Sequence, residues 1–96
     1  MARLVWTASA LRDLARLHHF LKAKNPDAAR RAIRAIRPSV TALAAHPAIG
    51  RRAEDMPPEF REWLAPFGDS GYVALYRYDG KEAVILAVRH AREAGY

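Results

Sequence analysis

The chain has 96 residues, 51% of them hydrophobic, no cysteine and a formal net charge of +6. That length holds one domain, spanning residues 1–96, with a single two-layer core. The absence of cysteine excludes a disulfide framework and thiolate metal sites. The first residues lack a signal-type apolar core and no stretch approaches a membrane span, so a soluble cytoplasmic protein is predicted.

The charge is unevenly placed. Residues 1–53 carry 11 Lys/Arg against 2 Asp/Glu, a balance of +9; residues 54–96 carry 5 against 8, a balance of −3. A basic half favours an anionic partner, either nucleic acid or an acidic protein segment. Aromatic residues are not interleaved with these cations, which argues against a stacking platform for single strands.

Arg3-Leu4-Val5-Trp6 is a short apolar stretch and predicts a strand. Thr7 then suits an N-cap. From Ala8 to Lys24, apolar residues at Ala10, Leu14, Leu17 and Leu21, with Leu11 alongside, have helical spacing. His18 and His19 are neighbours on that helix, so they point in different directions and cannot form an i, i+4 metal pair. Asn25-Pro26-Asp27 restarts the chain: Asn caps, Pro fits the first helical position, and Asp meets the positive helix end. Ala29, Ile33, Ile36, Val40 and Leu43 form one apolar stripe on the second helix. Arg30, Arg34 and Arg37 line another face, with Arg31 beside them. Pro38 removes a hydrogen bond and should bend the helix near Arg34–Arg37. So short a connection predicts an antiparallel helical hairpin.

His46-Pro47 ends the second helix, and the run from Ala48 through Gly50-Arg51-Arg52 to Met56-Pro57-Pro58 reads as a loop. Arg61–Ala65 reads as a strand stopped by Pro66, and Gly68-Asp69-Ser70-Gly71 as a turn. Tyr72–Tyr78 alternates with period two, tyrosines on one side and Val73, Leu75 and Arg77 on the other. Asp79-Gly80 is a hairpin signal. The apolar run Ala83-Val84-Ile85-Leu86-Ala87-Val88 reads as a strand buried on both faces. Arg89, His90 and Arg92 follow it directly, so the strand delivers a basic, titratable cluster to one end of the sheet. The fold class is α+β in the order β-α-α-β-β-β, an antiparallel sheet packed against an N-terminal helical hairpin. Trp63 and Phe67 would pack well in the core or at an interface, and are read as core.

The ordered set Val5-Trp6-Thr7, Asp13-Leu14, Asn25-Pro26 with Ala28-Ala29, Leu43, His46-Pro47, Gly50-Arg51, Arg61-Glu62, Tyr72-Val73, Leu75-Tyr76-Arg77 and Ile85–Arg92 resembles the RelE/ParE superfamily of bacterial toxins from type II toxin–antitoxin modules. The resemblance covers nearly the whole chain. The long helical hairpin and the Pro…Gly-Arg segment are more similar to the ParE branch. The resemblance implies a toxin of plasmid-stabilisation type, neutralised in a hetero-oligomer by a ParD-like antitoxin with an acidic C-terminal segment. Arg30, Arg34 and Arg37 become the candidate antitoxin-binding residues, which agrees with the basic N-terminal half.

Two actions follow from the resemblance. ParE relatives trap DNA gyrase on DNA by binding, without chemistry of their own; Arg61, Arg77, Arg89, His90 and Arg92 are then the candidate target contacts. RelE relatives cut mRNA on the ribosome. That reaction needs a base for a ribose 2′-hydroxyl, cations for the phosphate and an acid for the leaving oxygen; His90, Arg61 and Arg89 are the candidates, with Arg77 as a further phosphate holder. The chain departs from the RelE pattern. Arg51-Arg52 followed by Glu54, Asp55 and Pro57-Pro58 stands where a lysine-rich stretch is expected, and the only tyrosine near His90 on its C-terminal side is Tyr96. A non-toxic antitoxin-binding relative is the third reading. No cofactor and no metal are implied.

Overall fold

The computed structural model describes residues 1–68 and 70–93. Asp69, which falls in the turn expected at 68–71, and Tyr96 lie outside them. The order is β1 (Arg3–Trp6), α1 (Ala8–Lys22), α2 (Pro26–Ala45), β2 (Arg51–Arg52), β3 (Phe60–Phe67), β4 (Ser70–Tyr78) and β5 (Glu82–His90). The strands form one sheet in the order β1-β5-β4-β3-β2. The expected α+β class holds, and so does the element order apart from the added strand β2. β3, β4 and β5 form the antiparallel meander, but β1 pairs parallel with β5, so the whole sheet is mixed.

Both helix starts follow their capping chemistry. Thr7 Oγ1 accepts from the Ala10 N–H at 3.1 Å, and Asn25 Oδ1 accepts from the Asp27 and Ala28 N–H groups, each at 3.1 Å. The Thr7 hydroxyl also donates to the Ile85 carbonyl at 2.7 Å, tying the helix start to β5. Thr7→Ala is therefore expected to cost about 1–2 kcal/mol, above a plain cap loss, because both bonds go at once; chemical denaturation checks this, and Thr7→Ser should recover most of it. α1 ends two residues earlier than Lys24, and α2 runs through Pro38 to Ala45 without interruption.

One side of the sheet carries the core. Ala10, Leu14 and Leu17 of α1 and Ala32, Ile36, Val40 and Leu43 of α2 meet Tyr72, Ala74, Tyr76, Ala83, Ile85 and Val88. Trp63 and Phe67 pack partly buried against this cluster, and Trp63 Nε1 donates to the Ser39 carbonyl at 2.9 Å. No described helix is long and apolar enough to cross a membrane.

Three expectations are corrected. The Ala83–Val88 run is not buried on both faces: Ala83, Ile85 and Val88 are buried, while Val84, Leu86 and Ala87 are only partly covered, since both helices lie on one side. β5 is interior only in its pairing, between β1 and β4. Arg51-Arg52 is a two-residue strand rather than loop, paired with Glu62 and Arg61. A strand this short has no periodicity of its own and depends on its partner. Finally, Pro66 does not stop β3. The Gly71 carbonyl opposite it is taken by the Ala91 N–H at 2.9 Å on the β5 side, so Pro66 faces the open edge of β3 beyond β2. No ladder donor is lost there.

Candidate binding site

The sheet end is shaped by one extra residue. Tyr76 pairs with Ile85 and Leu75 with Ala87, so Leu86 is a bulge. Without it, Ala87 and Arg89 would face the helices. With it, Val88 and His90 do, and Arg89 is turned to the open face. Asp13 of α1 supports this stretch by accepting from the Val88 N–H at 2.9 Å.

His90 lines a groove of about 550 Å³ with Arg16, Leu17, Phe20, Phe67, Tyr72 and Glu93. Its ring meets Tyr72 edge-on, centroids 5.4 Å apart, and its Nδ1 accepts from the Arg92 N–H at 3.1 Å. Burial raises the Tyr72 pKa, and the Glu93 charge adds to the rise. Glu93 accepts from Arg16 Nη1 at 3.2 Å and Nη2 at 3.3 Å, and from the His90 N–H at 3.3 Å. Burial alone would raise its pKa, but Arg16 and the His90 N–H outweigh that, and its carboxyl sits below the ordinary value.

Of the arginines named with His90, Arg92 shares its groove, but Arg61, Arg77 and Arg89 do not gather around it. Arg89 lies on the opposite face with its side chain only 14% exposed; Nη1 donates to the Glu93 carbonyl at 2.9 Å and to those of His90 and Ala91 at 3.3 Å, and Nη2 is 3.7 Å from Glu62 Oε2. Glu62 also accepts from Arg51 Nε at 3.1 Å. Arg61, opposite Tyr76, points to the helix side and donates to the Gly50 carbonyl at 2.7 Å. The Tyr76 hydroxyl donates to the Pro47 carbonyl at 2.8 Å and accepts from the Gly50 N–H at 2.9 Å. Burial raises the Tyr76 pKa, opposed in part by the Gly50 bond and the Arg61 charge. Arg77 shares the open face with Arg89 but lies four positions along β4 from Val73, the Arg89 partner, roughly 13 Å away at a strand's rise per residue. Arg92 is exposed at the groove rim.

The second candidate region is the outer side of α2. Arg30, Arg34 and Arg37 are all exposed. Arg30 pairs with Asp27, and the Arg37 guanidinium lies 5.7 Å from the centroid of the Trp6 ring. Arg34 lies between them.

Sequence reasoning missed the Arg16–Glu93 pair, Phe20 and the bond to β5 of Asp13, a residue named only in the family pattern. Only Phe20 left a signal: it is an aromatic residue off the apolar stripe of α1, and it is 58% exposed. The other two act across 77 and 75 residues of chain and leave no local pattern.

The profile of the family described as ParE toxin of type II toxin–antitoxin system, parDE, matches residues 4–95. Toxin RelE3 of Caulobacter vibrioides is 39% identical over 84 residues, 88% of each chain. Putative toxin Y4kP of Sinorhizobium fredii is 35% identical, covering 95% of this chain and 90% of its own. A structure of the chromosomal ParDE toxin–antitoxin system from P. aeruginosa superposes with a TM-score of 0.78 at 26% identity, covering 96% of this chain and 98% of the other. The toxin–antitoxin complex RelBE2 from Mycobacterium tuberculosis gives a TM-score of 0.56 at 25% identity, covering 93% and 96%. The chain therefore belongs to the ParE/RelE toxin family and is the toxin of a type II toxin–antitoxin system.

Proposed function

We propose that this toxin acts by binding its target, in the ParE manner on DNA gyrase, and is held inactive by an antitoxin whose acidic segment lies along Arg30, Arg34 and Arg37. The observation that carries the binding reading is the dispersal of Arg61, Arg77 and Arg89, the arginines expected to hold a phosphate. Ribonuclease chemistry needs an acid, a base and phosphate-holding cations around one ribose-phosphate. Arg61 is engaged with a loop carbonyl on one face, Arg89 with three carbonyls and Glu62 on the other, and Arg77 lies farther down the sheet. A binding surface tolerates such dispersal; a phosphate cradle does not. The antitoxin reading draws on the exposed arginine stripe and on solved relatives described as toxin–antitoxin assemblies.

Pulse labelling after induction of the chain alone in bacteria tests the action. DNA synthesis is expected to fall before protein synthesis. Early arrest of translation with mRNA cut at ribosomes would replace this reading by the nuclease. Among the sheet arginines, Arg77→Ala is expected to reduce growth arrest with little change in Tm. Arg89→Ala is expected to cost about 1–3 kcal/mol, because the carbonyls it gathers lose a charged donor. Thermal melting beside a growth assay separates the two.

A further inference from the structure

We propose that the groove beside His90 is a carboxylate-recognition site, filled in the free chain by its own Glu93, and that an acidic residue of the antitoxin, next to an apolar one, displaces it. The proposal rests on the antitoxin reading above and places a second contact on the toxin, separate from the arginine stripe of α2.

Three N–H donors converge on one carboxylate: both terminal nitrogens of Arg16 and the backbone N–H of His90. A guanidinium fork with two parallel bonds is the geometry that selects carboxylates. Yet the contact lies at the surface, the Arg16 and Glu93 side chains being 52% and 36% exposed. An ion pair at that exposure contributes about 0–1 kcal/mol, so another carboxylate can exchange with it.

The surroundings name the chemistry of the newcomer. Leu17, Leu21, Phe67 and Tyr72 form an apolar lining, and Phe20, 58% exposed, stands at its edge with Lys24 Nζ 4.4 Å from its ring centroid. The groove of about 550 Å³ has room for an apolar side chain. Arg16, Arg92 and His90 share the lining with Glu93 as its one carboxylate among the described residues. Once Glu93 withdraws, the charged side chains left among the described lining residues are those of Arg16 and Arg92, over an apolar lining. An apolar residue flanked by Asp or Glu satisfies both halves. Glu93 then acts as an internal competitor that lowers the apparent affinity by the fraction of time it holds Arg16.

The sign of one substitution tests this. In an NMR titration of the labelled chain with 3-phenylpropionate, shifts are expected at Phe20, at the His90 amide and at the Arg16 side chain. Glu93→Gln is expected to tighten binding by about 2- to 5-fold, the worth of an exposed ion pair, and Arg16→Gln to weaken it. Neutral 3-phenyl-1-propanol should bind more weakly than the carboxylate. Unchanged or weaker binding by Glu93→Gln, or equal binding of the alcohol, overturns the proposal and leaves a plain apolar groove. The purified antitoxin should follow the same order on these variants. If the probe behaves as expected but no antitoxin binds the wild-type chain, the partner reading fails and the carboxylate site stands. If the antitoxin binds and Glu93→Gln does not tighten it, the competition proposal fails alone.

Discussion

Gly50→Ala is expected to destabilise the protein by about 3 kcal/mol, as for overpacking at a site that cannot yield. A Cβ there would lie 2.6 Å from the Tyr76 hydroxyl, 2.7 Å from the Glu62 carbonyl oxygen and 2.7 Å from Tyr76 Cε1. Neither neighbour can move cheaply. Tyr76 is fully buried and bonded to both Pro47 and Gly50, and the Glu62 carbonyl belongs to β3. Tyr76→Phe leaves the Gly50 N–H and the Pro47 carbonyl short of a partner, which is expected to cost about 1–3 kcal/mol. The double variant decides the mechanism. Removing the hydroxyl removes one of the colliding atoms, so urea denaturation should give a combined loss below the sum of the singles. Strict additivity would assign the clash to the β3 backbone and the Tyr76 ring rather than the hydroxyl.

Arg34→Glu is expected to weaken antitoxin binding by about 10-fold or more, a loss near 1.4 kcal/mol, while Arg12→Glu on α1 changes it little. Arg34 is the clean probe of the stripe, because Arg30 is already paired with Asp27 and Arg37 lies over Trp6. Calorimetric titration at low and high salt reads the effect, and the gap between the two variants should shrink as salt rises, since exposed charges are screened over about 8–10 Å at ordinary ionic strength. Equal losses at Arg12 and Arg34 would move the docking surface off α2.

Much of the architecture was legible before any coordinates. Thr7 and Asn25 mark their helix starts with side chains that can satisfy only nearby N–H groups, so the signal and its effect lie within three residues. The tyrosine side of β4 was readable for the same reason: Tyr72, Ala74 and Tyr76 face the helices as period two requires. The site was far less legible. The unbroken apolar run at Ala83–Val88 hides the bulge at Leu86, so no alternation shows that His90 and Arg89 leave the strand on the faces they do. Arg61 reads as one more sheet-end cation, and nothing near it in the chain marks its bond to the Gly50 carbonyl.

The sequence by itself determined the helical hairpin, the antiparallel meander and the basic half, because caps, periodicity and charge act between residues close together in the chain; the family came from the resemblance of an ordered set of residues. Only the tertiary structure decided the parallel docking of β1 on β5, the Tyr76–Gly50–Arg61 clasp, the Arg16–Glu93 pair and the faces on which Arg61, Arg77, Arg89 and His90 stand. Those depend on strand register, and a shift of one residue in register turns every following side chain to the other face.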